Sequence, residues 1–170
     1  MSGKLLIGVI GGSHNTAKDK DLELAFNTGK LLIDNGYRLI SGGLTGVMEA
    51  ASKGARTSEK YKGGEIVCIL PMLNKQEANP YCDIIITTGM GYARNQIIVA
   101  SADALVAIGG GTGTLSEIAF AWQMGKPIFA YNIPGWSGEL AGKTLDNKRT
   151  DKVITIKTPK QLLKLLTKLL

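Results

Sequence analysis

The chain has 170 residues, of which 44% are hydrophobic and 20% are charged. That length and balance are typical of one globular domain and exclude a disordered or low-complexity protein. No apolar run approaches the roughly 18 residues of a membrane span, and the whole net charge of +6 lies in the segment 143–170, which holds eight basic and two acidic residues.

Short apolar runs alternate with helical patterns along the whole chain. The predicted strands cover 4–10, 37–41, 65–70, 83–88, 103–108, 127–131 and 152–156. The predicted helices cover 19–35, 45–56, 92–102, 114–124 and 159–170. Strands rich in Ile, Val and Leu that alternate with helices are typical of a parallel sheet buried on both faces. We therefore predict an α/β fold, a Rossmann-like doubly wound parallel sheet, in a single domain that spans 1–170.

Cysteine and histidine are too few to suggest a metal site. Cys68 and Cys82 lie in or beside apolar runs without metal-ligand spacing, and His14 is the single histidine. We expect reduced structural thiols, no metal and no cofactor. The first apolar run is too short for a signal peptide, so we also expect a cytoplasmic protein.

The basic carboxyl-terminal segment has a simple structural interpretation. In PKQLLKLLTKLL the leucines fall on one face of a helix and the lysines on the other. Its lysines are not interleaved with the aromatic residues of a single-strand-binding surface. We predict a packed terminal helix with a solvated basic face, and neither a nucleic acid nor a membrane as partner.

Three loops that follow predicted strands are rich in glycine: IGGSHNT, SGGLTG and GGGTGT. In doubly wound sheets, ligands bind beyond the carboxyl ends of the strands. Glycine allows a ligand to approach the backbone closely, and the start of a helix attracts anions. The predicted phosphate or nucleotide site consists of Gly12, Ser13, Gly42, Gly43, Thr45, Gly110, Gly111, Thr112, Gly113 and Thr114.

Two charged residues stand near these loops, and each has two interpretations. Glu117 follows Thr114 at the spacing of a capping box, so it either caps the helix or works in the site. Arg94 begins the helix before the fifth strand and is either a surface arginine or a donor to phosphate and ribose oxygens. The pattern alone leaves both pairs of alternatives open.

The segment GYARNQIIVASADALVAIGGGTGTLSE resembles the signature region of the Lonely Guy family, the cytokinin-activating phosphoribohydrolases also called lysine decarboxylase-like proteins. That family carries an arginine followed by PGGxGTxxE, which correspond here to Arg94, to Gly110–Thr114 and to Glu117. SGGLTGVMEAASKGA resembles its second motif, and IGVIGGS its first strand and loop, with Ser13 the matching residue. The resemblance implies hydrolysis of the N-glycosidic bond of a purine nucleoside 5′-monophosphate such as AMP, with Arg94 and Glu117 as catalytic residues, and a homodimer or higher homo-oligomer.

Three positions depart from the family pattern. Gly109 replaces the proline of PGG, Asn95 replaces the lysine that commonly follows the arginine, and Ser116 replaces a second acidic residue. Relatives with this divergent pattern include the molybdenum-cofactor carrier proteins. The alternative hypothesis is therefore a carrier or sensor that binds a nucleotide or the molybdenum cofactor without turnover.

Overall fold

Seven strands form one sheet in the computed structural model, which describes residues 3–170. The strands are β1 (Leu6–Gly11), β2 (Arg38–Ser41), β3 (Ile66–Leu70), β4 (Ile84–Thr87), β5 (Ala104–Ile108), β6 (Ile128–Tyr131) and β7 (Ile154–Ile156). The helices are α1 (Asp19–Asp34), α2 (Val47–Arg56), α3 (Arg94–Ser101), α4 (Thr112–Gln123), α5 (Trp136–Leu140) and α6 (Pro159–Leu169). Short 3₁₀ turns occupy Lys75–Glu77 and Gly91–Ala93.

The strand order β4-β3-β2-β1-β5-β6-β7 places β1 beside β5. The chain builds outward from β1 to the edge strand β4, returns through α3, and starts the second half of the sheet at β5. All six strand pairings are parallel. The predicted Rossmann-like doubly wound α/β fold is therefore confirmed.

Each face of the sheet has its own hydrophobic core. Val9 and Val106 pack on one face with residues of α1, α2 and α6. Ile10 and Leu105 pack on the opposite face with residues of α3 and α4. The helix after β1 and the helix after β5 thus lie on opposite faces, and a crevice opens between their starts. Within residues 3–170, no helix is long and apolar enough to span a bilayer.

Helix starts and one short helix differ from the sequence prediction. α2 begins at Val47 because Gly46, with φ +72°, is its N-cap, and the Val47 amide donates to the Gly12 carbonyl (2.9 Å). α4 begins at Thr112, two residues before the predicted start, with Gly111 as N-cap. The sequence analysis missed α5, whose five residues are too few to show a helical period.

The expectation of reduced thiols is wrong. Cys68, in β3, and Cys82, just before β4, form a disulfide with a Cα–Cα distance of 6.0 Å. The two cysteines are 14 residues apart in sequence, and the parallel pairing of β3 with β4 brings them together. The disulfide therefore ties an edge strand to the rest of the sheet.

Breaking this disulfide is expected to lower the melting temperature. A loop of about 15 residues corresponds to roughly 3 kcal/mol of stabilisation, which for a chain of this size is a loss of about 6–12 °C. Thermal unfolding with and without a reductant measures the effect, and a Cys68→Ser/Cys82→Ser double variant, which cannot respond to reductant, is the control. Two titratable thiols in denatured protein purified without reductant would contradict the pairing.

Candidate functional site

A cavity of about 560 Å³ lies at the carboxyl ends of the central strands. It is bordered by the loops after β1, β2 and β5 and by the starts of α3 and α4. Of the residues predicted for the site, nine line this cavity: Gly12, Ser13, Gly42, Arg94, Gly111, Thr112, Gly113, Thr114 and Glu117. Gly43, Thr45 and Gly110 do not line it. The structure therefore brings most of the predicted residues, from four segments distant in sequence, into one cavity.

The start of α4 presents unused hydrogen-bond donors to the cavity. Leu115 is the first residue of this helix whose amide has a partner, the Gly111 carbonyl at 3.0 Å. Among residues 3–170, the amides of Thr112, Gly113 and Thr114 donate to no atom, and no side chain caps the helix. The first turn carries no acidic residue. Free amides and the helix dipole make this turn suited to an anion.

Hydrogen bonds with residues of α5 hold the loop before α4 in place. Ser137, fully buried, accepts a hydrogen bond from the Gly109 amide (2.8 Å) and donates one to the Tyr131 carbonyl (2.7 Å). The amides of Trp136 and Ser137 donate to the carbonyls of Gly110 and Gly109, both at 3.0 Å. These bonds fix the loop while its amides on the cavity side stay free.

The departure from PGG at Gly109 has a conformational reason. Gly109 has φ +57°, whereas proline is confined to φ near −65°. A proline is therefore incompatible with this loop, and the glycine allows the Gly109 amide to reach Ser137.

Arg94 is a buried residue of the cavity wall rather than a surface arginine. Only 7% of it is exposed, and its guanidinium lies directly over Gly42, where a Cβ would overlap it. Its buried Nε has no hydrogen-bond partner among residues 3–170. Leaving a buried donor of this kind without a partner costs stability.

Glu117 does not cap the helix. With α4 beginning at Thr112, Glu117 lies in the second turn, beyond the position of a capping-box carboxylate. It is 7% exposed and lines the cavity. Burial raises the pKa of Glu117 to about 7, and the positive charge of Arg94 opposes that rise only in part. The carboxyl group therefore exchanges its proton near neutral pH, as a general acid or base must.

Arg94 and Glu117 both line the cavity without forming an ion pair. Each affects the pKa of the other, yet the ion pairs formed by residues 3–170 do not include them. A direct salt bridge would occupy the donors of the one and the oxygens of the other. Both groups instead remain open toward the cavity.

The glycine-rich loop after β2 acts mainly through packing. The Arg94 guanidinium occupies the space that a side chain at Gly42 would fill. Gly43 lies against Cys68 and Leu70. Gly46 contacts the backbone of Gly12 and Ser13. The first amide of α2 is already bonded to Gly12, and its first turn carries Glu49. The start of α4 is thus the better anion site of the two.

Sequence reasoning missed several residues of the site. Asn95 and Ser116 line the cavity and are hydrogen-bonded to each other (3.0 Å). Ile10, Leu44 and Met48 form an apolar wall, and Tyr92 lies at the edge of the cavity. The sequence analysis noted Asn95 and Ser116 as departures from the family pattern but did not predict them as site residues. Nothing in the periodicity singles out the apolar residues, because core and cavity wall look alike in sequence. Among residues 3–170, no cluster of His, Cys, Asp or Glu suits a metal ion.

Comparison with known proteins identifies the family. The model of the SLOG cluster4 family matches residues 4–163. The chain belongs to the SLOG cluster4 family. An uncharacterised protein from Archaeoglobus fulgidus is 48% identical over 128 residues, which are 75% of this chain and 80% of that protein.

One relative and one solved structure that resemble this chain have names that state a function. A cytokinin riboside 5′-monophosphate phosphoribohydrolase of Mycobacterium tuberculosis is 33% identical over 116 residues, 63% of this chain and 60% of that enzyme. This chain thus spans less than two thirds of that enzyme. The solved structure of the molybdenum cofactor binding protein from Rippkaea orientalis is similar over 99% of this chain and 98% of that one, with a TM-score of 0.87 and 37% identity. The resemblance to the Lonely Guy proteins and to molybdenum-cofactor carriers is confirmed.

Replacing Gly42 with alanine is expected to displace Arg94 and weaken ligand binding while the fold persists. The new methyl group would occupy the place of the guanidinium. AMP affinity, measured by calorimetry, should fall as far in Gly42→Ala as in Arg94→Ala. In the Arg94→Ala background, Gly42→Ala should have no further effect on affinity. Additive losses in the double variant would contradict the contact.

Glu117→Gln is expected to change how stability depends on pH. Because the folded-state pKa of Glu117 is raised from 4.5 to about 7, the folded state binds the proton more tightly than the unfolded chain does. The stabilising contribution is complete below the unfolded pKa and is lost as pH rises through about 7, by roughly 3 kcal/mol in all. Wild type and Glu117→Gln should melt alike near pH 5, and the variant should melt several degrees higher near pH 9.

The exposed Glu23 of α1 supplies a matched control for this measurement. Glu23→Gln should leave the pH dependence of the melting temperature unchanged. If Glu117→Gln and wild type kept the same difference in melting temperature at every pH, Glu117 would not be the group that titrates near neutrality.

Proposed function

We propose that this protein hydrolyses the N-glycosidic bond of a purine nucleoside 5′-monophosphate such as AMP, releasing the free base and ribose 5-phosphate. The observation that carries this proposal is Glu117, a buried carboxyl group without an ion pair that lines a cavity bordered by free helix amides, where burial raises its pKa to about 7.

The 5′-phosphate binds at the start of α4. The free amides of Thr112, Gly113 and Thr114 donate to its oxygens, and the helix dipole adds to the attraction. A Cβ at Gly111 or at Gly113 would meet no atom within 4 Å. Space for the phosphate therefore exists beside the glycines.

Arg94 and Glu117 act on the ribose. The guanidinium of Arg94, which lines the cavity, donates to a ribose or phosphate oxygen. Ionised Glu117 accepts a proton from the water that attacks C1′, and its negative charge stabilises the oxocarbenium-like transition state. The C1′–N bond breaks with its electrons going to the base, which takes up a proton. The base rests against the apolar wall of Ile10, Leu44 and Met48.

A second candidate function is a carrier for the molybdenum cofactor. It is supported by the similarity to the Rippkaea orientalis protein, which covers nearly the whole of both chains. The same cradle of amides suits the phosphate of a pterin cofactor as well as that of a nucleotide. The two functions differ in whether Glu117 does chemistry.

Base release from AMP and other purine monophosphates tests the proposal. Glu117→Gln keeps the size of the side chain and removes the charge, so the rate should fall about 100- to 1000-fold with little change in AMP affinity. The wild-type rate should rise as pH passes through about 7, because the ionised form of Glu117 is the active one. Glu23→Gln should match wild type.

A binding control keeps this experiment decisive. Gly111→Val fills open space next to the α4 amides, at an ordinary φ of −99°, and should abolish AMP binding in a folded protein. Unchanged AMP affinity in folded Gly111→Val contradicts the phosphate assignment. A wild type that binds the molybdenum cofactor and releases no base from any purine monophosphate supports the carrier instead.

We also propose that the protein forms a homodimer through an apolar surface at the edge strand β4. Ile84 and Ile86 project from one face of β4 and are exposed, as are Leu73, Met90 and Tyr92 beside them. The Leu73 side chain lies next to Gly89, so the two loops adjoin. An exposed cluster of this kind on a small protein marks an association surface, and a second copy of the chain offers the same apolar chemistry through an isologous contact.

The mass of the protein in solution, measured by light scattering, should be twice that of the chain. Ile86→Lys places a charge in the centre of this surface and should give a folded monomer. Leu169→Lys, at an exposed leucine of α6 far along the sequence, should stay dimeric. A monomeric wild type, or a dimeric Ile86→Lys variant, would show that β4 does not form the interface.

A further inference from the structure

A chain of two hydrogen bonds connects the starts of the two helices that carry Arg94 and Glu117. The Asn95 side-chain amide donates to Ser116 Oγ (3.0 Å). Ser116 Oγ in turn donates to the Gly113 carbonyl (2.6 Å). Asn95 is only 4% exposed, so this connection is part of the cavity wall rather than a surface contact.

The position of these residues makes the connection important. Asn95 directly follows Arg94 at the start of α3, and Ser116 directly precedes Glu117 in α4. The Arg94 guanidinium lies against Gly42. A shift of α3 relative to α4 therefore moves the Arg94 backbone relative to that of Glu117.

An unrestrained arginine and carboxylate in one cavity attract each other strongly, because the low dielectric of a buried site weakens screening. A direct ion pair is the expected outcome of such an attraction. In this structure Arg94 and Glu117 form none of the ion pairs of residues 3–170. The surrounding structure therefore keeps the Arg94 guanidinium and the Glu117 carboxyl group apart.

We propose that the Asn95–Ser116 hydrogen bond is a positioning brace that holds Arg94 away from Glu117 and so keeps both groups open to a ligand. The brace is neutral, so it performs this task without adding a charge to the cavity. Of the residues that line the cavity, Arg94, Glu117 and Tyr92 are the titratable ones, and Arg94 is the charged group that acts on Glu117. A charged pair in place of Asn95 and Ser116 would add its own field at the carboxylate.

The ionisation of Glu117 in the protein without ligand tests the brace. The ¹³C resonance of the Glu117 carboxyl carbon, followed by NMR against pH, gives its titration midpoint directly. Ser116→Ala removes the hydroxyl, and the Arg94 side chain should then pair with Glu117. The midpoint should fall by about 1–3 pH units, the usual effect of an adjacent opposite charge on a carboxyl group. Asn95→Ala should produce a similar fall.

Two further variants separate positioning from general disruption. Ser116→Thr keeps the hydroxyl and should restore the wild-type midpoint. In Arg94→Met/Ser116→Ala no cation is left to pair with Glu117, so the midpoint should not fall below that of Arg94→Met. A folded Ser116→Ala protein that titrates like wild type overturns the proposal, as does a fall in midpoint that persists in Ser116→Thr.

The kinetic consequence of the brace rests on the proposed hydrolase function. In that case base release by Ser116→Ala should slow at least about tenfold, the effect expected when a catalytic group is slightly misplaced, and its pH dependence should shift together with the Glu117 midpoint. If wild type binds nucleotide without releasing base, the hydrolase proposal fails, and the NMR titration still decides the brace.

Discussion

The parallel pairing of β1 with β5 is the contact on which the remaining structure depends. It joins the two halves of the chain at the point where the strand order reverses. Because α1 follows β1 on one face and α4 follows β5 on the other, the two connecting loops diverge and leave a crevice between them. The start of α4, the loop after β1 and the start of α3 with Arg94 all border that crevice. Without this pairing, the glycine-rich segments would be separate turns at distant places.

Several groups at the cavity lower the stability of the folded protein. The start of α4 has uncapped amides, Arg94 has an unsatisfied Nε, and Glu117 is buried without an ion pair. Each of these is unfavourable in a protein that binds nothing, and the free amides and the Arg94 guanidinium would gain partners from an anionic ligand. Their concentration in one cavity is the strongest physical sign that this surface is a binding site. Around them the bonds are complete: Ser137 holds the Gly109 loop and Asn95 holds Ser116.

The glycines illustrate how one residue type serves different purposes in neighbouring loops. Gly111 and Gly113 leave open space for a ligand, as the anion-loop hypothesis requires. Gly42 and Gly43 leave space for other parts of the protein itself, the Arg94 guanidinium and the Cys68 side chain. Both patterns read as GG followed by Thr and Gly in the sequence. Only the residues that surround each glycine in the fold show whether it leaves space for a ligand or for another part of the protein.

The sequence by itself determined the strands, the long helices, the doubly wound fold and half of the residues that line the cavity, because these follow from local periodicity and from the rule that loops after parallel strands meet at one edge. Tertiary structure decided the rest. Cys68 bonds Cys82, Arg94 lies over Gly42, and Glu117 faces Arg94 instead of capping α4. Each of these depends on which residues of separate segments come within a few ångströms of one another. Local propensity carries no such information, since it describes a residue's own backbone and not its neighbours across the sheet.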